Sequence, residues 1–175
     1  MRDFENRLKG GHPNSLGNTI EVVEEVLNNE AYFEELFNCY FSDDEVVRLR
    51  VSNAMKRICK PRKDLLIPYI DRLLNDISKI DQASTQWTLA QLFLSLDKAL
   101  SVPQKKKALS IMKTNLENHQ DWIVLNMTME TLGKWAKTDD QLMEWLYPHL
   151  YRLEADKRKS VKSKATKTLA LLSSY

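Results

Sequence analysis

The stretch VRLRVSNAMKRI, residues 47–58, carries the pattern that decides the fold. Its positions Val51, Ala54, Met55 and Ile58 recur at i, i+3, i+4 and i+7, the spacing that places side chains on one face of an α-helix. The same pattern returns in TQWTLAQLFLSL (85–96), VLNMTMETLGKW (124–135) and VKSKATKTLALL (161–172). The four stretches begin 38, 39 and 37 residues apart, so the chain repeats itself at a nearly constant interval.

A further helical stretch precedes each of these four segments, over residues 30–41, 64–80, 103–118 and 141–155. An acidic residue stands near the start of each second helix, where its carboxylate can accept hydrogen bonds from the N–H groups of the first turn. These residues are Asp43, Asp81, Asp121 and Asp156. Pro68 and Pro148 lie deeper in their helices, and we expect each to bend or delay its helix.

A period of about 40 residues with two helices per unit is typical of HEAT and armadillo repeats. The chain resembles this superfamily from about residue 30 to residue 173, and the row with Val47, Arg48, Ala54, Met55 and Ile58 carries the resemblance best. The resemblance implies an all-α fold, a right-handed α-α superhelix or HEAT-like solenoid of about four helix pairs.

The predicted domain organisation follows from these repeats. We expect an extra N-terminal helix near residues 19–29, a flexible N-terminal arm over residues 1–17 and a single HEAT-like domain over residues 18–175. The repeats are expected at about residues 30–60, 64–98, 103–137 and 140–173.

Composition places the chain among ordinary globular proteins, with 43% hydrophobic residues, 29% charged residues and a formal net charge of +2. The two cysteines, Cys39 and Cys59, lie within apolar helical patterns, which favours reduced thiols over a disulfide framework. No apolar stretch is long enough to be a signal sequence or to span a membrane. We therefore expect a cytoplasmic protein that does not bind membranes.

No pattern in the sequence predicts catalysis. The four glycines do not form a phosphate-binding loop, and the three histidines have no cysteine or carboxylate at metal-ligand spacing. The superfamily that the chain resembles includes one class of enzyme, the HEAT-like alkylpurine DNA glycosylases. These enzymes use clustered tryptophans together with an aspartate in a groove. No such cluster occurs here, where the tryptophans are Trp87, Trp122, Trp135 and Trp145. We predict no catalytic residue, no metal, no cofactor and no enzyme activity.

The resemblance also implies a site, because solenoids usually bind partners along the inner, concave face formed by their second helices. Positions beside the apolar stripe should face that groove: Arg50, Asn53, Trp87, Gln91, Asn126 and Glu130. A half-exposed tryptophan among amides is a common anchor for a peptide, although Trp87 could equally pack between repeats. We predict a non-catalytic scaffold module that binds a protein or peptide segment there.

Charge gives the alternative hypothesis. Between residues 10 and 47 there are nine acids and no Lys or Arg, whereas residues 152–175 hold seven bases and two acids. The basic patch comprises Lys157, Arg158, Lys159, Lys162, Lys164 and Lys167. It could bind nucleic acid, conceivably in DNA repair, or simply be the solvated side of a terminal capping helix. Opposite charges at the two ends could also align molecules head to tail, although we expect a monomer.

Overall fold

The computed structural model describes residues 1–174, and within that range the protein is helical and contains no strand. This confirms the predicted all-α class. Short 3-10 turns continue or connect several of the helices. The α-helices are α1 (Phe4–Leu8), α2 (Thr19–Asn28), α3 (Phe33–Asn38), α4 (Glu45–Cys59), α5 (Lys63–Leu66), α6 (Ile70–Asn75), α7 (Ala83–Ser95), α8 (Val102–Asn118), α9 (Trp122–Ala136), α10 (Asp140–Glu154) and α11 (Lys159–Ser173).

The apolar stripe predicted from the repeats lies in the buried interior of the protein. Val51, Ala54, Met55 and Ile58 on α4 are all fully buried, and the matching positions on α7, α9 and α11 are buried as well. Leu169 is the exception, because it is only half-buried. Each large aliphatic side chain removed from water in this way contributes about 1.5–3 kcal/mol. The same periodicity that defines the repeats therefore supplies the main stabilising term.

The chain forms two compact units, one of residues Met1–Leu100 and the other beginning at Ser101. We predicted instead a single repeat domain over residues 18–175 with an arm outside it. Helices α1–α7 belong to unit 1, and helices α8–α11 belong to unit 2. The predicted helix pairs fall within one unit each, two in unit 1 and two in unit 2. The right-handed superhelix remains a prediction.

The N-terminal arm is part of the core of unit 1, contrary to the prediction that residues 1–17 are flexible. Phe4 and Leu8 are fully buried, because their i, i+4 spacing places both on the side of α1 that packs against α3 and α4. The backbone N–H of Arg2 also donates to the Glu35 carboxylate at 2.9 Å. These contacts attach the first helix to the rest of the unit.

Helix ends in unit 1 follow the local sequence. Asp44, the neighbour of the predicted Asp43, caps α4 by accepting from the N–H groups of Val46 and Val47. Pro68 stands in a 3-10 turn, Ile67–Tyr69, that separates α5 from α6, as expected for a residue that lacks an N–H group. The first helix of this pair is therefore divided.

Unit 2 has the more regular helices. Ser101 and Gln104 form a reciprocal capping box at the start of α8, and Asp121 caps α9 as predicted. Helix α10 runs from Asp140 to Glu154 as one helix, with Pro148 in its interior. Helix α9 is the central element, because α8, α10 and α11 all pack against it. This central position buries much more of α9 than a single apolar stripe.

Candidate partner-binding site

The predicted groove residues divide between the two units. Helices α4 and α7 of unit 1 carry Arg50, Asn53, Trp87 and Gln91, and helix α9 of unit 2 carries Asn126 and Glu130. Helices α4 and α7 pack against each other. Each set is described within its own unit.

Arg50 is not available to a partner, which corrects its assignment to the groove. Its side chain is buried, with 2% of the residue exposed, because the guanidinium binds the N-terminal segment of its own chain. Nη1 donates to the carbonyl oxygen of Leu8 at 2.6 Å, and the other nitrogens donate to the carbonyl oxygens of His12 and Ser15 at 3.3 Å. Gly17 adopts φ +51° beside this guanidinium, where a Cβ would lie 2.8 Å from Arg50 Cζ. Arg50 is an anchor for residues 8–17.

The other three residues of unit 1 remain on its surface. Trp87 and Gln91 are half-buried on α7, and Asn53 is half-buried on α4. Asn53 Oδ1 accepts a hydrogen bond from Arg57 Nε at 2.6 Å, one turn further along the same helix. Trp87 therefore keeps part of its side-chain surface exposed.

Asn126 is the second correction, because it is buried, with 6% of the residue exposed. Asn126 lies beside the apolar stripe of α9, a position that would be exposed to solvent if only one side of the helix were packed. Three helices pack against α9 and bury this position too. Its Oδ1 has no hydrogen-bond partner within the described residues. Asn126 belongs to the interior of unit 2 and is excluded as a direct contact.

Glu130 lies at the surface and joins the two predicted sites. Its carboxylate oxygens lie 3.2 Å from Lys134 Nζ on the same helix and 3.2 Å from Lys164 Nζ on α11. Burial alone would raise the pKa of Glu130, but the hydrogen bonds from Lys134 and Lys164 lower it. One groove residue and one residue of the basic patch therefore form a single charged cluster.

A small cleft lies beside this cluster, between α9 and α11. Its volume is about 220 Å³, and we call it the α9–α11 cleft. Its lining residues are Glu130, Lys134, Lys164, Lys167, Thr168 and Leu171. Three lysines against one glutamate give the lining a formal charge of +2. The helices come close here because Gly133 has no side chain, and a Cβ at that position would lie 2.6 Å from Thr168 Cγ2.

The basic patch is not one continuous face. The guanidinium of Arg158 is occupied by hydrogen bonds within the protein. It donates to the Asp156 carboxylate at 2.9 Å and also to the Gln120 carbonyl. The hydrogen bond from Arg158 lowers the pKa of Asp156 to about 2. Lys157, Lys159, Lys162 and Lys167 are exposed.

The remaining lysines of α11 point in different directions. At about 100° per residue, Lys164 and Lys167 share the flank facing α9, whereas Lys159 and Lys162 lie on the opposite flank. Phosphate binding along a backbone needs such charges on one face. The division therefore favours the cleft over the whole patch as a site.

Both thiols are buried, and one histidine packs against an aromatic ring. Burial raises the pKa of the Cys39 thiol to about 12 and also raises that of Cys59, so neither thiol ionises readily. His149 stacks on Trp145 with ring centroids 4.3 Å apart, and burial lowers its pKa. Among residues 1–174 no group of three or more His, Cys, Asp or Glu residues could hold a metal ion. In the same range, every helix is too short or too polar to cross a bilayer.

Comparison of the chain with protein-family models, with curated proteins and with solved structures found no match. The resemblance to HEAT and armadillo repeats therefore stays a prediction from the repeat pattern. The site is judged on its own geometry.

Three residues of the cleft, Lys134, Thr168 and Leu171, were not predicted as site residues from the sequence. Lys134 lies one helical turn after Glu130 and completes the charged cluster. Leu171 lies one turn after Lys167 and adds an apolar surface. Gly133 was the available signal, because a single glycine inside an otherwise strong helix often marks a close approach of another element.

Proposed function

We propose that this chain is a non-catalytic interaction module that binds a segment of a partner protein through its second helices. In unit 2 the α9–α11 cleft receives an acidic side chain of that segment. The observation that carries the proposal is the combination of three lysines, one glutamate and an apolar residue around one concave surface. Glu130 holds the ends of Lys134 and Lys164 in place, which reduces the entropy lost when a carboxylate binds.

The size of the cleft favours a side chain over a large ligand. A volume of about 220 Å³ is below the range of about 300–1,000 Å³ that is usual for small-molecule sites. A single glutamate or aspartate with a neighbouring apolar residue fits this space and its charge. Leu171 would contact the apolar neighbour, and Lys167 would pair with the carboxylate. The half-buried Trp87 offers a separate apolar contact on unit 1.

Nucleic-acid binding is the second candidate. It is favoured by the exposure of Lys157, Lys159, Lys162 and Lys167 near or on α11. Against it stand the division of these lysines between two flanks and the commitment of Arg158 to Asp156. A nucleic-acid ligand would release condensed counterions, so its affinity would fall steeply with added salt.

The test is a fluorescence-anisotropy titration with a labelled peptide of alternating glutamate and leucine. One variant carries Lys134→Gln and Lys167→Gln, and a matched control carries Lys159→Gln and Lys162→Gln. Both remove two positive charges, but only the first changes the cleft. Exposed ion pairs contribute about 0.2–1 kcal/mol each, so the cleft variant should bind roughly tenfold more weakly. Equal losses in both variants would show that only net charge matters, and would refute the proposal.

A further inference from the structure

One flank of unit 2 carries aromatic and apolar side chains that are only partly buried. On α10, Met143, Tyr147 and Tyr151 recur every four residues and therefore lie on one side of the helix. Met143 and Tyr147 are half-buried, and Tyr151 is 60% exposed. The rings of Tyr147 and Tyr151 stack with centroids 6.2 Å apart.

Helix α11 extends the same flank. Leu169 is half-buried there, and Lys159 and Lys162 are exposed. The Thr166 hydroxyl lies 3.2 Å from the Glu154 carboxylate, which joins α11 to α10 along this side. We call the surface formed by Met143, Tyr147, Tyr151, Lys159, Lys162 and Leu169 the end flank.

The opposite flanks of the same two helices are occupied. On α10, His149 lies 3.8 Å from Glu117 of α8, and Lys113 of α8 lies over the Trp145 ring at 4.8 Å from its centroid. On α11, Lys164 pairs with Glu130 of α9. Helices α8 and α9 therefore contact the other side of the α10–α11 pair, and the end flank keeps Tyr151, Lys159 and Lys162 exposed.

Unit 1 carries a surface of complementary character on α2. Its buried residues, Val22, Val23 and Val26, face the rest of the unit, where α2 packs against α4. Glu21 and Glu24 are exposed on the other side. They differ from Glu25, which is bridged by Arg2 and Arg7, each at 2.6 Å.

The same helix also presents half-buried apolar residues. Ile20 and Leu27 lie two turns apart beside the exposed acids. We call the surface formed by Ile20, Glu21, Glu24 and Leu27 the acidic face. No Lys or Arg occurs between residues 10 and 47, and the salt bridges of Arg2 and Arg7 are made with Glu25.

We propose that a second copy of this chain docks its acidic face on the end flank. Glu21 and Glu24 pair with Lys159 and Lys162, while the apolar members of the two surfaces cover one another. Charge complementarity identifies the occupant, because each surface combines partly exposed apolar groups with exposed charges of the sign opposite to the other. The two surfaces are different parts of the molecule, so the contact is heterologous and propagates into rings or open chains.

The experiment is size-exclusion chromatography with light scattering on the full chain, from micromolar to millimolar concentration and at low and physiological salt. Wild-type protein should show a mass that rises with concentration and falls with salt. One variant carries K159E and K162E, and another carries E21K and E24K. Each alone opposes like charges at the contact, and should lower the association constant about tenfold or more.

Mixing the two variants is the decisive step. In an equimolar mixture each surface again meets a surface of opposite charge, so association should return to the wild-type level. A control with K56E and K60E, which reverses two exposed charges on or just after α4, should associate like wild type. Circular dichroism confirms that every variant is folded.

Two outcomes would overturn the proposal. One is a wild-type mass that stays monomeric over the whole range, which would leave the two surfaces to other partners. The other is an equimolar mixture that associates no better than its components, which would show that the two surfaces do not contact each other.

Discussion

Gly133 is expected to set the distance between α9 and α11, and its replacement by alanine tests the geometry of the cleft. The added Cβ would lie 2.6 Å from Thr168 Cγ2, closer than carbon atoms can approach without movement. The other atoms of Thr168 are 3.8 Å and 4.0 Å away, which are ordinary contacts. A single methyl group therefore carries the predicted clash.

The expected magnitude follows from two opposing effects. Overpacking of a helix interface costs about 1–3 kcal/mol. Alanine is favoured over glycine within a helix by about 1 kcal/mol, which offsets part of that cost. We therefore expect Gly133→Ala to lower the free energy of unfolding by up to about 2 kcal/mol. Urea denaturation followed by circular dichroism measures this difference.

Thr168→Ser supplies the matched background, because it removes Cγ2 and keeps the hydroxyl that donates to the Lys164 carbonyl at 2.8 Å. Alone it should cost about 1 kcal/mol for one buried methyl group. In that background Gly133→Ala should be neutral or stabilising, so the double-mutant cycle yields a coupling energy of about 1–2 kcal/mol. The reasoning fails if Gly133→Ala destabilises equally in both backgrounds.

Three further outcomes are expected. Arg50→Ala should lower the free energy of unfolding by about 2–4 kcal/mol in urea, because it removes charge-assisted hydrogen bonds from a buried guanidinium to three carbonyl oxygens of the N-terminal segment. It should also speed proteolysis within residues 9–18, and unchanged stability would contradict the anchor. Trp87→Ala should lower the melting temperature by only about 2–4 °C in calorimetry while weakening peptide binding, and a much larger drop would place Trp87 in the core. Asp156 has a depressed pKa in the folded state, so its contribution to stability is present above pH of about 4 and is lost towards pH of about 2. The unfolding midpoints of wild type and Asp156→Asn should therefore converge over that range, and a constant gap would refute the role of the Arg158 hydrogen bond.

The helical class and the helix pairs could be predicted because the core lies on a strict i, i+3, i+4, i+7 stripe. The same stripe recurs in each of the four repeated segments, and its first positions, Val51, Leu89, Thr128 and Ala165, are all buried in the structure. Leu169 departs from the pattern because it faces the exposed end flank. Periodicity along one helix does not say how many neighbours that helix will have.

Two site residues were assigned wrongly because the periodicity of a helix does not show which other elements pack against it. Asn126 stands beside the stripe, but α9 is covered on three sides and buries that position too. Arg50 also lies beside the stripe, and the N-terminal segment covers it by accepting hydrogen bonds at backbone carbonyl groups. Every residue has such a carbonyl group, so the sequence gives no sign of these contacts. Phe4 and Leu8 form a single i, i+4 pair, too short a pattern to distinguish a docked helix from a flexible arm.

The measurement that tests the central claim most directly is a competition between two ligands at physiological salt. The labelled glutamate–leucine peptide is bound first, and unlabelled single-stranded DNA of equal charge is added as competitor. The proposal predicts that DNA displaces the peptide only at large excess. It also predicts that Lys134→Gln with Lys167→Gln weakens binding of the peptide but leaves binding of the DNA unchanged. Displacement by stoichiometric DNA, abolished by Lys159→Gln with Lys162→Gln, would contradict the proposal and assign the basic helix to nucleic acid.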